Sequence, residues 1–213
     1  MKRKTDSFTG QRPVFTGSPS IVPGGFNLDK ANQSFKEGDI IPIGTVAKFD
    51  EQTRLVQILK TAEVVAIDSD DAKIVSLKVA EFFKPVFCVG DKVAKAGAIS
   101  GTFANAVSIA AINQTKSTYV ITLSAAITGL AVGDTLEEVV EDASHNAAER
   151  LTGNAVTIKD VEVDEFETAI DVCADTMQYA LLERRVQKIP ASQKNASGMA
   201  LAGNPHVKLS QSY

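Results

Sequence analysis

Two histidines, His145 and His206, are the only imidazoles in the 213-residue chain, so Ser-His or Cys-His catalysis has few partners to draw on. Gly97-Ala98-Ile99-Ser100-Gly101 has the wrong spacing for a nucleophile elbow and reads as a turn. Gly24-Gly25 is not followed by a dinucleotide or phosphate-loop pattern, and no Gly-Lys-Ser/Thr occurs. His145 and Glu149 stand one helical turn apart, but no third metal ligand is near them in sequence. Asp68, Asp70 and Asp71 lack the central glycine and closing glutamate of an EF-hand loop and read as a solvated hairpin tip. Paired carboxylates for glycoside chemistry are a spatial arrangement, and the scarcity of aromatic residues to stack on sugars argues against them. Cys88 and Cys173 lie far apart among apolar neighbours, with no C-x-x-C spacing, and are expected to be buried, inert thiols. The expectation is a protein that is not an enzyme, with no catalytic residues, no cofactor and no metal.

The formal net charge of -4 supplies no broad cationic field for phosphates, so no nucleic-acid partner is expected. The short basic run Lys2-Arg3-Lys4 has no interleaved aromatics and reads as a solvated or partner-facing tail. No apolar window is long enough to cross a bilayer, and Thr5-Asp6-Ser7 stands where a signal peptide needs its apolar segment. The product is therefore expected to remain in the cell that makes it, away from membranes.

The elements that must position any site divide the chain into four stretches. Residues 1–34 carry Gly10, Pro13, Gly17, Pro19, Pro23 and Gly24-Gly25, with Phe8, Phe15, Ile21 and Phe26 scattered without period. Such apolar content is unusual for a disordered linker, so an extended arm that lies along a partner is predicted, with those four residues as its contacts. Its deletion is expected to leave the rest folded.

Residues 35–162 read as a β-domain of short β-branched strands separated by turns, a small barrel or sandwich. A Gly-Asp phrase recurs three times, at Gly38-Asp39, Gly90-Asp91 and Gly133-Asp134. Glycine supplies a positive φ and the aspartate bonds to nearby backbone, expected on the downstream side, so each copy starts a strand. The last two copies are preceded by matching strands, Lys73–Leu77 and Tyr119–Leu123, which predicts an internal strand-turn-strand duplication. Two copies are too few for a solenoid, so a pseudo-symmetric β-domain is predicted.

Residues 141–150 suggest one or two helical turns. Asp164 then resembles a helix N-cap, and Phe166, Ile170, Cys173, Met177 and Leu181 fall on one stripe at spacings of three and four. An amphipathic helix over 163–190 is predicted, its stripe packing on the β-domain or on another subunit. Residues 191–213 read as a second arm, a C-terminal tail.

The strand Ile41-Pro42-Ile43-Gly44-Thr45-Val46-Ala47-Lys48-Phe49-Asp50, the strand Thr53-Arg54-Leu55-Val56-Gln57-Ile58-Leu59-Lys60-Thr61-Ala62 and the turn Val89-Gly90-Asp91-Lys92-Val93 resemble the head-fibre and capsid-decoration proteins of tailed bacteriophages, including the crass-like type. The resemblance covers about residues 35–140. It implies a β-tulip-like domain in a virion structural protein that is assembled in the host cytoplasm. Such a subunit forms a homo-oligomer, a dimer or trimer, and docks on the major capsid protein and other virion proteins at the capsid surface. The helix and tail depart from the small decoration domains. They leave open a portal or tail adaptor ring, and a hydrolase or carbohydrate-binding module with a non-obvious site is the third reading.

Overall fold

A computed structural model describes residues 13–22 and 25–212. In chain order its strands are β1 (Phe26–Leu28), β2 (Ile40–Ile41), β3 (Val46–Asp50), β4 (Leu55–Ile58), β5 (Thr61–Ile67) and β6 (Ile74–Leu77). They continue with β7 (Val93–Lys95), β8 (Ile109–Gln114), β9 (Tyr119–Leu123), β10 (Thr135–Glu141), β11 (Ala147–Glu149) and β12 (Ala155–Thr157). The last are β13 (Val161–Glu162), β14 (Ala169–Ile170), β15 (Val172–Cys173), β16 (Leu181–Leu182) and β17 (Leu209–Ser210). The only helical pieces among the described residues are three single 3₁₀ turns, so the protein is mainly β, as expected.

Two curled sheets make the body, where one domain was read. The first runs β14-β1-β4-β3-β12-β15. Its edge strands β14 and β15 are separated in sequence only by Asp171, so the sheet rolls up around Phe26, Leu28, Ile41, Val56, Ile58, Ile170 and Val172. The second barrel is inserted between β4 and β12. Its strands follow β10-β5-β6-β9-β8, and β7 completes the ring, pairing with β10 on one side and through the Lys92–Ser108 bridge with the start of β8 on the other.

The predicted duplication is the organising symmetry of this second barrel. Lys73–Leu77 and Tyr119–Leu123 are antiparallel neighbours, with Val75 opposite Ile121 and Ile74 opposite Thr122, the latter mirrored by Ser76 opposite Val120. Gly90 N–H donates to Ile109 O and Gly133 N–H to Val64 O, both at 2.8 Å. The return bonds, Ile109 N–H to Asp91 O and Val64 N–H to Asp134 O, are both 2.9 Å. Even the register shifts correspond, at Val64/Ala66 and at Ile109/Ala111. Two β-β-turn-β units are thus related by a local two-fold axis that passes between Val75 and Ile121 and between Ala94 and Glu137.

The arms and the helix are corrected. Residues 14–22 form no free arm: Thr16 N–H donates to Ala180 O, Leu182 N–H to Val14 O and Val22 N–H to Val172 O. Phe15 and Phe26 are buried in the chain's own core, and β1 is an internal strand of the first sheet, so the 1–34 segment is not dispensable. Phe8 lies outside the described residues. The C-terminal tail packs likewise: β17 pairs in parallel with β16, and Leu201, Val207 and Leu209 are buried. The two chain ends therefore weave a third layer against the first barrel, around Val14, Phe15, Val46, Leu181, Val186 and Ile189.

No α-helix exists over 163–190. The spacing of three and four runs from Phe166 to Leu181, but it leaves Val172 on the opposite side, and Val172 is buried as a strand residue. β-branched residues favour a pleated surface, and the open edges of β1 and β12 supply ladder partners that a helix would forgo. Asp164 caps nothing; its own N–H donates to Thr168 Oγ1 at 3.0 Å. The helical turns read at 141–150 are the β10–β11 hairpin, with His145 in the left-handed region at its tip.

Candidate functional site

The three Gly-Asp phrases share one construction. Gly38, Gly90 and Gly133 have φ of 81°, 95° and 91°, a region closed to most side chains. Asp91 N–H donates to Cys88 O and Asp134 N–H to Ala131 O, each at 3.1 Å, while Asp91 Oδ2 accepts from Cys88 N–H (2.8 Å) and Asp134 Oδ2 from Ala131 N–H (2.7 Å). Asp39 N–H likewise reaches Lys36 O. The carboxylates therefore lock the turn upstream, three residues back, and not downstream as read from sequence. The residue ahead of the glycine is pushed outward in the duplicated pair: Val89 and Val132 are both exposed.

Each duplicated aspartate also meets a lysine. Asp134 pairs with Lys95 at 2.8 Å on the surface, and that hydrogen bond holds its carboxyl below the usual range. Asp91 pairs with Lys60 at 2.7 Å, and both side chains are buried. Lys60 lies on the two-residue link between β4 and β5, where the chain passes from one barrel to the other. Its ammonium also donates to Ser34 O and stands 3.9 Å from Glu138 Oε1 on β10. Arg150 clamps Glu138 through Nε (2.7 Å) and Nη2 (2.9 Å) and reaches Asn32 O, and Gln33 Nε2 bonds Glu138 Oε2 and Ile58 O. Two cations and two anions thus neutralise one another at the barrel junction with every group hydrogen-bonded. Removing one partner would strand a buried charge. Sequence reasoning passed over Lys60, Glu138 and Arg150, because opposite charges far apart in a chain announce nothing until the fold joins them.

The predicted packing stripe is scattered. Ile170 is fully buried in the first barrel's core and Cys173 and Leu181 in the layer beside it, whereas Phe166 is 81% exposed and Met177 55% exposed. Met177 has φ 56°, an unusual conformation for a bulky residue, held by an Asx turn in which its N–H donates to Asp175 Oδ1 at 2.7 Å. Ile21, from the predicted arm, is also exposed, and so is Met199. Met177 and Met199 flank the C-terminal segment, where Lys208, bridged to Ala200, donates to Met177 O and Leu209 N–H to Met199 O, and Ile21 follows the Ser20–Asp175 bridge. This apolar display is the candidate functional surface.

Burial keeps both thiols and the Tyr119 phenol in their neutral forms. Burial pushes the Cys88 thiol up to about 11, so it is protonated at neutral pH, and Cys173 is raised by the same cause. Tyr119 is raised too, and its hydroxyl donates to Phe87 O at 2.9 Å. His145 bonds Glu141 at 2.5 Å on an exposed hairpin, and no cluster of three or more metal-ligating side chains occurs among the described residues. Asp68 accepts from Asp70 and Asp71 N–H, as a hairpin tip should. No described helix is long and apolar enough to cross a membrane. No protein-family model, curated protein or solved structure matches the chain.

Proposed function

We propose that the protein is a virion structural subunit of a tailed bacteriophage, of the head-fibre or capsid-decoration kind, which docks on the major capsid protein and associates with copies of itself. The motifs between Ile41 and Val93 support this reading through their resemblance to that class. The observation that carries it is the apolar display of Ile21, Met177 and Met199 on the terminal layer, with Met177 held outward in a left-handed backbone conformation. Exposed apolar groups gain free energy when a protein partner covers them, and a backbone fixed by its own hydrogen bonds, as at Met177, lowers the entropy lost on docking. The barrels serve as body and spacer, and the layer woven from both chain ends serves as the attachment face.

The test is a triple variant, Ile21→Ser, Met177→Ser and Met199→Ser, made in the phage that encodes the chain. Because all three side chains are exposed, its melting temperature should stay within a few degrees of the parent. Its copy number on purified particles should fall at least tenfold. Unchanged occupancy on particles refutes the assignment of that face, and absence of the parent chain from purified particles refutes the virion role. A twelve-fold or six-fold ring in a cryo-electron-microscopy reconstruction would place the protein in the adaptor instead.

A further inference from the structure

Glu137 stands in the middle of β10 with its side chain fully buried, and neither carboxylate oxygen has a hydrogen-bond partner. Leu136, the preceding residue, points into the second barrel's core, so Glu137 points out of it. Outside lies the segment 186–194. Thr61, directly opposite Glu137 in the ladder, donates its hydroxyl to Lys188 O at 3.0 Å. Thr135, on the same face, lines a cleft with Ile189, Pro190 and Ala191. Gln193 fastens the far end: Nε2 donates to Glu149 Oε2 (3.0 Å) and Leu151 O (2.8 Å), and Oε1 accepts from Gly153 N–H (2.8 Å). Gln187 fastens the near end through Lys84 O at 2.6 Å. Between these ties the strap lies over a carboxyl that has nothing to bond.

We propose that residues 186–194 are a proton-controlled strap: with Glu137 neutral they clasp the terminal layer to the second barrel, and loss of that proton releases them. The charged groups around Glu137 favour its neutral form or are engaged elsewhere. From β11, Glu149 adds a like charge. On the same face of β5, Glu63 is taken up by Lys78 at 2.9 Å and stands 3.8 Å from Lys188. On the strap, Lys188 donates to Gly133 O, and Lys194 pairs with Glu183. From β7, Ala94 faces Glu137, while Lys95 is paired with Asp134. Burial and the Glu149 charge raise the carboxyl to about 7, so the strap is poised to respond near neutrality.

Hydrogen exchange of the full chain, corrected for the intrinsic pH dependence of exchange, tests this. Protection of 186–194 should fall about tenfold per pH unit as pH rises toward 7 and then level off, and at each pH it should stay well below that of β6 and β9, which open only with the whole fold. Glu137→Gln should flatten that dependence. Glu149→Gln, which keeps Glu137 and an amide oxygen to accept from Gln193 but removes the like charge, should shift the midpoint to lower pH. Should the first variant fail to fold, the second still decides. The proposal is overturned if the strap's protection is independent of pH in the parent, if the strap is protected as strongly as β6 and β9, or if Glu149→Gln leaves the midpoint in place.

Discussion

Replacing Glu137 by glutamine should change the protein's stability in a manner that depends on pH, and the structure sets both sign and size. The carboxyl has an ordinary value of 4.5 in the unfolded chain and is raised to about 7 in the fold. Below pH 4.5 both states hold the proton, and stability is greatest. Between 4.5 and 7 only the folded state holds it, so each unit of rising pH costs about 1.4 kcal/mol. Above 7 neither state holds it, and the loss stays constant at about 3 kcal/mol. Glutamine does not titrate, so whatever fixed offset its amide introduces, the difference between variant and parent should grow by about 3 kcal/mol in the variant's favour from pH 4.5 to 8. For a chain of this size that is a relative gain in melting temperature of about 6 °C or more. Thermal scans of both proteins at half-unit intervals provide the measurement. Parallel curves across the whole range would refute the argument, because they would mean that Glu137 ionises in the fold as it does in water.

Lys60→Met should cost about 3 kcal/mol or more in urea unfolding, since it strands Asp91 and part of the Glu138 charge at the barrel junction. Gly90→Ala and Gly133→Ala should each cost about 1 kcal/mol and should match each other, because a Cβ at either position meets nothing within 4 Å and only the left-handed φ is penalised; a large inequality would count against the local two-fold axis. Gly153→Ala should cost more than either, as its Cβ would stand 2.2 Å from Val46 Cγ1. Phe26→Ala should lose about 3–5 kcal/mol by leaving a cavity in the first barrel, while Phe166→Ala should stay within about 0.5 kcal/mol, a contrast readable from denaturation midpoints.

Local chemistry was legible along the chain. A glycine that must take a positive φ, followed by an aspartate that can close the turn, marks a strand start wherever it occurs, and all three copies behave so. The matched strands before two of them revealed the duplication, because equal segments joined to equal turns adopt equal conformations. That β-branched short runs make a barrel was readable for the same reason. Periodicity misled between 163 and 190, where spacings of three and four fit a helix while Val172, on the opposite side, is buried in a strand. Glycine and proline punctuation likewise marked 13–34 and 191–212 as irregular, which they are, but not as free.

What sequence by itself determined is the set of local preferences: which residues turn, which extend, which units repeat, and that apolar residues near the ends needed cover. Only the tertiary structure decided what covers them and which charges meet. Phe15 and Phe26 found partners in the chain's own strands, and Ile21, Met177 and Met199 were left exposed. Lys60, Asp91, Glu138 and Arg150 converge across a span of ninety residues, and Glu137 was left alone beneath the strap. The physical reason is range: backbone preferences act over a few residues, whereas burial and charge pairing are fixed by neighbours that only the folded chain assembles.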